Sequence, residues 1–157
     1  MSNEGIGTTT ICQIAVVVRD IEKTASAYAD LFGLPVPTAR LTDTADKTHA
    51  RYRGQPTDAR AKLAFFHFGP LSLELIEPVG GPSTWAEHLE AHGEGVHHIA
   101  FRVEGMDDVV AGLEAKGLTT VQRGDFTGGR YAYLDALEPL KVMLELLESV
   151  PVQNADG

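Results

Sequence analysis

Four side chains that can bind a divalent metal ion occupy matching positions in two similar parts of the chain. Gln13 and His98 each precede the pair Ile-Ala, and Glu74 and Glu145 each lie at the centre of the sequence Leu-Glu-Leu. Three oxygen donors and one imidazole suit Zn2+, Mn2+, Co2+ or Ni2+, and two carboxylates would neutralise the charge of the ion. Four protein ligands leave two adjacent positions of an octahedral ion open, where a substrate can be chelated and a developing enolate stabilised.

Each of these residues taken alone has an ordinary structural explanation. A single Glu in a strand usually faces solvent, and a lone inward His is more often a hydrogen-bonded core residue than a ligand. Four metal-competent side chains at duplicated positions would arise by chance roughly one time in ten. The internal symmetry therefore favours a metal site over four unrelated structural residues.

The two parts of the chain predict the same order of elements. The first predicts a strand at 10–18, a helix at 21–32, a variable region, and strands at 61–68 and 71–77. The second predicts a strand at 96–103, a helix at 106–116, and strands at 118–123, 130–135 and 141–148. Both helices are followed by Gly-Leu, at Gly33 and Gly117, as is typical of a helix C-terminus. The sequence thus predicts an α+β fold of two βαβββ modules, residues 10–78 and 96–148.

Residues 79–95, rich in Pro and Gly at their start, are predicted to form the linker between the modules. They include a short helix at 85–92 with Ser83 as its N-cap. Residues 1–9 and the stretch after 150 are small and polar, and are predicted to be loose tails.

Strand alternation predicts where the four polar side chains point. Successive residues of a strand face opposite ways, so Gln13 lies opposite an apolar row that can pack under helices. His98 and Arg102 share a face in the same manner, and Glu74 and Glu145 face away from their flanking leucines. Each module therefore offers two polar side chains on the inner face of a curved sheet.

Bulk properties limit the class of protein. A chain of 157 residues with 43% apolar residues can bury one core, and a net charge of −9 argues against general nucleic-acid binding. Cys12 is the single cysteine, which excludes an internal disulfide and fits a reducing compartment. No segment has the apolar length of a membrane span or a cleavable leader, so we expect a cytoplasmic protein without a membrane partner. Open sheet edges favour pairing, which predicts a homodimer.

The most specific segments are Gln-Ile-Ala-Val-Val-Val-Arg-Asp from residue 13, Leu-Glu-Leu-Ile-Glu-Pro from 73, Gly-Val-His-His-Ile-Ala-Phe-Arg-Val from 95, and Lys-Val-Met-Leu-Glu-Leu-Leu-Glu from 141. Together these resemble the vicinal oxygen chelate superfamily, which includes glyoxalases, bleomycin resistance proteins and dioxygenases, over about residues 10–148. The resemblance implies an open, U-shaped mixed barrel around a metal ion. Within the superfamily the segments from 73 and 95 are most similar to methylmalonyl-CoA epimerases, whose ligand positions map onto Gln13, Glu74, His98 and Glu145.

Gln13 departs from the epimerase pattern, which has His at this position. A Gln, Glu, His, Glu set is similar to that of eukaryotic-type glyoxalase I, so epimerase and lyase both stay open. The set disfavours the ring-cleaving dioxygenases, whose iron uses two His and one Glu. The epimerases also use a further carboxylate in the strand near 61–64, where this chain has Ala-Lys-Leu-Ala. The second acid/base residue therefore cannot be carried over.

Both enzyme families imply proton transfer at a carbon next to a carbonyl of a small-molecule substrate, such as an acyl-CoA thioester. Glu145 is the first candidate for the base, and Glu74 is the symmetric candidate for the opposite face of the substrate. Some relatives with this architecture instead sequester small antibiotics in a dimer cavity, but those commonly lack a full ligand set.

Other side chains are predicted to contact substrate or to support the ligands. Arg102 should share the inner face with His98, where an unpaired charge would be costly, and so should contact substrate or pair with a site carboxylate. Tyr131 and Tyr133 are candidates to line the cavity, with Tyr133 as a substrate-binding residue. His97 should point to the helix side, in a packing or second-layer hydrogen-bonding role. Residues 40–62 hold six of the thirteen basic residues, which suits either an anionic substrate or a solvated loop.

Overall fold

The duplicated segments form the two halves of one continuous sheet in the computed structural model, which describes residues 5–150. The first half contains β1 (Gln13–Val17), α1 (Ile21–Phe32), β2 (Arg40–Leu41), α2 (Ala45–Thr48), β3 (Arg51–Tyr52), β4 (Gln55–Pro56), β5 (Arg60–Phe68) and β6 (Leu71–Val79). After α3 (Thr84–His92), the second half contains β7 (Gly95–Arg102), α4 (Met106–Ala115), β8 (Thr119–Phe126), β9 (Gly129–Asp135), α5 (Leu137–Leu140) and β10 (Met143–Ser149).

The strand order β2-β5-β6-β1 is mirrored by β7-β10-β9-β8, and β3 and β4 are added beyond β8. The ten strands lie in the order β2-β5-β6-β1-β7-β10-β9-β8-β3-β4, so β1 of one half meets β7 of the other in an antiparallel pair. The β1–β6 and β7–β10 pairs are parallel, and the flanking pairs are antiparallel. The sheet curls into a half-barrel, which confirms the predicted α+β fold and open, U-shaped mixed barrel. The exact module limits, with a linker at 79–95, stay a prediction.

Two helices bury the outer face of the sheet, one over each half. Asp20 caps the N-terminus of α1, and its side chain accepts from the Lys23 N–H at 3.1 Å; Gly33, in the left-handed conformation, caps the C-terminus. Its buried side chains pack on apolar residues of β5 and β6, including the fully buried Leu75. Helix α4 packs in the same way on β9 and β10, including the fully buried Leu146. The inner face is therefore left free to line a cavity.

The variable region of the first half contains more structure than the sequence predicts. Strand β2 pairs with β5 at one edge of the sheet, whereas β3 pairs with β8 near the opposite edge. Residues 42–50, here called the strap, therefore join one edge of the sheet to the other. Arg60 donates to the Thr42 carbonyl at 2.9 and 2.6 Å, and His49 Nδ1 lies 3.0 Å from Asp125 Oδ2. Two-residue strands with distant partners have no local periodicity, so alternation could not reveal them.

The remaining predicted elements differ from the observed ones by at most three residues at either end. Ser83 caps α3 as predicted, accepting from the Ala86 N–H at 3.0 Å. Helix α5 occupies the stretch between the strands predicted at 130–135 and 141–148. None of the helices in residues 5–150 is long and apolar enough to cross a membrane. The predicted tails fall partly outside the described residues, at 1–4 and 151–157.

Candidate active site

The four central strands carry the four predicted ligand residues, one on each strand. Ala15 on β1 lies between Glu74 on β6 and His98 on β7 in the pairing register. Ala100 on β7 lies in the same way between Gln13 on β1 and Glu145 on β10. Both alanines are fully buried, at 0% exposure. Since an alanine side chain ends at Cβ, the longer polar side chains on either side of it can converge above the sheet.

The structure brings these four side chains together around one imidazole nitrogen. His98 Nε2 lies 2.9 Å from Glu145 Oε2, 3.3 Å from Gln13 Oε1 and 3.7 Å from Glu74 Oε1. The exposed fraction is 8% for Gln13, 7% for Glu74, 4% for Glu145 and 0% for His98. Two acids and one base are thus grouped where water is largely excluded.

Burial changes the protonation of this cluster. It lowers the pKa of His98 to about 3, so the imidazole is neutral at physiological pH. Burial raises the pKa of Glu145 to about 8, although hydrogen bonding by Tyr133 and the positive charge of Arg102 both act to lower it. Burial, followed by repulsion from Glu145, raises the pKa of Glu74 well above its ordinary value. Burial therefore favours the neutral, protonated form of both carboxyls, and a nearby positive charge favours the ionised form.

The donor set fits a divalent cation by its chemistry. The contact between His98 and Glu145 lacks hydrogen-bond geometry, and among residues 5–150 no donor reaches the buried Glu145 Oε2. Neighbouring ligands of an ion bound at about 2.1 Å lie about 3 Å apart, close to the separations around His98. In their present positions, residues 5–150 contain no group of three or more His, Cys, Asp or Glu side chains with metal-holding geometry. Ion binding therefore requires these side chains to adjust.

His97 supports His98 from the side of helix α3. The register places Ala15 opposite His98 but Val16 opposite Val96, so His97 is the extra residue of a β-bulge. Its Nδ1 lies 2.8 Å from His98 Nδ1, and its Nε2 lies 3.2 Å from Thr84 Oγ1 at the start of α3. The contact with α3 agrees with the predicted orientation. Plain alternation would place His97 and His98 on opposite faces of the strand. The bulge explains why their side chains are nevertheless in contact.

A cavity of about 420 Å³ opens in front of the cluster. Its wall includes three of the four cluster residues, the strap, and several aromatic rings. The lining residues are Gln13, Leu41, Thr42, Asp43, Thr48, Ala50, Ala59, Leu63, Phe65, Glu74, Trp85, Arg102, Asp125, Phe126, Tyr131, Tyr133, Glu145 and Leu147. An apolar cavity with a few polar groups at one wall is typical of a small-molecule site.

The sequence model of one family, described as the glyoxalase/bleomycin resistance protein/dioxygenase superfamily, matches residues 12–133. The chain belongs to this superfamily. The Bacillus subtilis protein YqjC, which is uncharacterised, is 31% identical over 138 residues, covering 86% of this chain and 89% of YqjC.

Methylmalonyl-CoA epimerases are also among the similar proteins. The human mitochondrial enzyme is 25% identical over 109 residues, which cover 69% of this chain but only 54% of that enzyme. A solved variant of the Streptomyces coelicolor enzyme, in complex with 2-nitronate-propionyl-CoA, matches with a TM-score of 0.64 and 25% identity. That match covers 91% of this chain and 99% of the Streptomyces chain.

Two predicted contact residues of this superfamily member lie on the cavity wall, in different environments. Arg102 is exposed rather than buried, and its guanidinium donates to Ser149 Oγ at 3.1 Å instead of pairing with a site carboxylate. The expected cost of an inward charge is avoided because the side chain reaches solvent. Tyr133 is buried, and its hydroxyl accepts from Trp85 Nε1 at 3.1 Å.

The basic residues of 40–62 are mostly engaged within the protein. Arg53 pairs with Glu87 at 2.7 Å, Lys62 lies 3.4 Å from Glu77, and Arg60 binds the strap. These contacts favour a structural role for the basic stretch over recognition of a substrate anion.

Sequence reasoning missed two residues that shape the site. Trp85 belongs to a helix predicted only as a linker, yet its ring packs at 6.1 Å from the Tyr133 ring, centroid to centroid. Gln122 is 1% exposed on β8 and links α3 to Tyr131. For Trp85, the presence of a single Trp in a short linker was an available signal. Gln122 gave no signal, because its partners are 38 and 9 residues away in sequence.

Proposed function

We propose that the protein is a metal-dependent epimerase or isomerase that moves a proton at the carbon next to a carbonyl. An acyl-CoA thioester such as methylmalonyl-CoA is the proposed substrate. The observation that carries the proposal is the convergence of Gln13, Glu74 and Glu145, which line the cavity, around the buried imidazole of His98. The similarity to methylmalonyl-CoA epimerases supports the same chemistry.

Glu145 is the proposed base. Its Oε2 receives no hydrogen bond from residues 5–150, so one lone pair is available for a substrate proton. Burial raises the pKa of this carboxyl to about 8 in the metal-free protein, and the charge of a bound ion would release its proton and leave the carboxylate that a base requires. Glu74 stands on β6, on the other side of β1 and β7, and is the proposed group that returns the proton to the opposite face.

Gln13, Glu74, His98 and Glu145 would hold a divalent ion such as Zn2+, Co2+, Mn2+ or Ni2+. When bound, the ion would act as a Lewis acid that lowers the cost of an enediolate. The low pKa of His98 keeps its imidazole neutral, the form in which a histidine can be a ligand. His97 contacts the other ring nitrogen of His98, and Thr84 contacts His97 in turn, so the two residues orient the His98 ring.

Arg102 and Tyr133 are the proposed substrate contacts. The Arg102 guanidinium, held by Ser149 at the cavity wall, can pair with an anionic group of the substrate. The Tyr133 ring lines the cavity beside Glu145. Homodimerisation and a cytoplasmic location stay predictions from the sequence.

A glyoxalase I-like lyase is the second candidate, favoured by the amide at the first ligand position. Gln13 Oε1 lies 3.3 Å from His98 Nε2, and this completes a Gln, Glu, His, Glu set similar to that of glyoxalase I. Sequestration of an antibiotic ranks lower, because four candidate ligands converge at a buried point.

The decisive experiment incubates the protein with methylmalonyl-CoA in deuterated water and follows exchange at the α-carbon by NMR. Exchange at that carbon supports the epimerase. Absence of exchange together with turnover of a hemithioacetal would establish the lyase instead. Absence of both activities, with tight binding of a small molecule, would leave sequestration.

Metal dependence is tested separately by measuring the metal content of the purified protein. His98→Ala and Glu145→Ala should each lose most of the bound ion while keeping the fold by circular dichroism. Unchanged content in both variants would contradict the proposed ligand set.

A further inference from the structure

A buried amide fixes the direction of a hydrogen bond at the cavity wall. Gln122 Oε1 accepts from the Thr84 backbone N–H at 2.8 Å. Since a backbone N–H can only donate, this contact assigns the oxygen of the amide and leaves Nε2 on the other side. Gln122 Nε2 then donates to Tyr131 Oη at 3.0 Å.

The Tyr131 hydroxyl is therefore an acceptor toward Gln122. A phenolic hydroxyl has one proton to donate, and this proton must point away from the Gln122 amide. Burial raises the pKa of Tyr131 to about 12, so the hydroxyl keeps its proton throughout the physiological range. Tyr131 thus offers a directed hydrogen-bond donor on the cavity wall.

Strand β8 leaves space for this phenol. Gly124 lies directly opposite Tyr131 in the β8–β9 pair. A Cβ atom at Gly124 would lie 2.6 Å from Tyr131 Oη and 2.7 Å from its ring. Any larger residue at Gly124 would displace the hydroxyl. The position of the Tyr131 hydroxyl therefore depends on two independent features, an oriented amide and a missing side chain.

Tyr133, two residues along the same strand, is differently engaged. Its hydroxyl accepts from Trp85 Nε1, and Tyr133 acts to lower the pKa of Glu145 against the effect of burial. Because an indole N–H can only donate, the Tyr133 hydroxyl is an acceptor toward Trp85 and its proton points away from the indole. The two rings lie 5.2 Å apart, centroid to centroid, and both line the same cavity as the proposed base, Glu145. The proton of Tyr131 is left for a substrate.

We propose that Tyr131 is a catalytic residue that donates a hydrogen bond to the substrate oxygen on which negative charge develops. The inference rests on the proposed function. The α C–H bond breaks, its proton passes to the Glu145 carboxylate, and the electron pair moves onto the carbonyl oxygen. Tyr131 keeps its own proton, and its hydrogen bond strengthens as that oxygen becomes an anion.

Tyr131→Phe tests the donor directly, because it removes one oxygen and keeps the ring. We expect α-proton exchange of methylmalonyl-CoA in deuterated water to fall about 100-fold, with metal content retained. Tyr28→Phe is the matched control, since Tyr28 lies on α1 and packs against Phe66 of β5, outside the cavity lining. That control should exchange at the wild-type rate.

A binding measurement separates charge stabilisation from packing. Wild-type protein should bind 2-nitronate-propionyl-CoA, which carries the negative charge of the intermediate, more tightly than propionyl-CoA. Tyr131→Phe should lower affinity for the nitronate at least 10-fold more than affinity for propionyl-CoA. Equal losses for both compounds would assign Tyr131 a packing role and overturn the inference.

Gln122→Glu reverses the hydrogen bond with almost no change in size. Once ionised, the carboxylate can only accept, so the Tyr131 hydroxyl should turn toward it and away from the substrate. Exchange should fall toward the level of Tyr131→Phe as the pH is raised through ionisation of the new carboxyl.

The outcomes distinguish this inference from the proposed function. Wild-type exchange that Tyr131→Phe leaves unchanged overturns the role of Tyr131 alone. Absence of exchange in the wild-type protein overturns the proposed function and the role of Tyr131 with it.

Discussion

Replacing Glu145 with Gln in the metal-free protein should remove a pH dependence of stability that the buried carboxyl creates. The Glu145 carboxyl releases its proton at about pH 8 in the folded protein, whereas in an unfolded chain it does so near 4.5. Between these values the folded state holds the extra proton. The free energy of unfolding therefore falls as the pH rises through this window.

The size of the effect follows from the same values. The slope for one group is about 1.4 kcal/mol per pH unit where the two states differ by a full proton. Burial lowers the pKa values of His97 and His98 from the unfolded value of 6.5. Below pH 6.5 these two groups therefore make the free energy of unfolding rise with pH, opposite to the effect of Glu145. The clearest window is thus pH 6.5 to 8, where Glu145 should cost roughly 2 kcal/mol.

Urea unfolding in the presence of a chelator, at pH 6.5, 7.2 and 8.0, would measure this cost. The wild-type midpoint should fall across the series, and that of Glu145→Gln should fall by a visibly smaller amount. Glu74, whose pKa is also raised, leaves a residual slope that Glu74→Gln should reduce in turn. Parallel pH profiles for wild type and Glu145→Gln would show that the carboxyl is already ionised in the folded metal-free protein, and would refute the reasoning.

Two further substitutions test the fold that supports the site. Gly81→Ala should destabilise the protein by about 2 kcal/mol or more, because Gly81 has φ +56 and a Cβ there would lie 2.5 Å from Ala59 N. Thermal unfolding would measure this loss. Gly112→Ala is the control, since Gly112 lies in a helix and has open space around its Cβ position. Leu146→Ala should lower the free energy of unfolding by about 2–5 kcal/mol, since Leu146 is fully buried under α4. Denaturant titration would measure the loss. A value below about 1 kcal/mol would mean that the neighbouring side chains fill the space that Leu146 leaves.

The sequence alone determined the repeated βαβββ order and the strand faces. Apolar alternation in β1, β6, β7 and β10 places one side of each strand under a helix, and burial of that side leaves the polar residues inside. Helix ends at Gly33 and Gly117 were readable because Gly favours the left-handed backbone. These are local rules, each decided by residues only a few positions apart.

The duplicated positions also indicated the four residues that converge at His98, but alternation could not reveal the contacts that Arg102 and His97 make. Arg102 lies on the expected face, yet it reaches solvent and binds Ser149. His97 meets His98 because a bulge in β7 adds one residue to the strand. A bulge depends on the partner strand, so the period of one strand cannot reveal it.

Only the tertiary structure decided how the cavity is closed and which hydroxyl can donate into it. The strap reaches across the sheet because β3 pairs with β8, and Gln122 connects α3 with Tyr131 across 38 and 9 residues of sequence. The sequence states which groups can donate or accept. The direction of each hydrogen bond depends on which partner is near, and distant partners are brought near only when the sheet closes on itself.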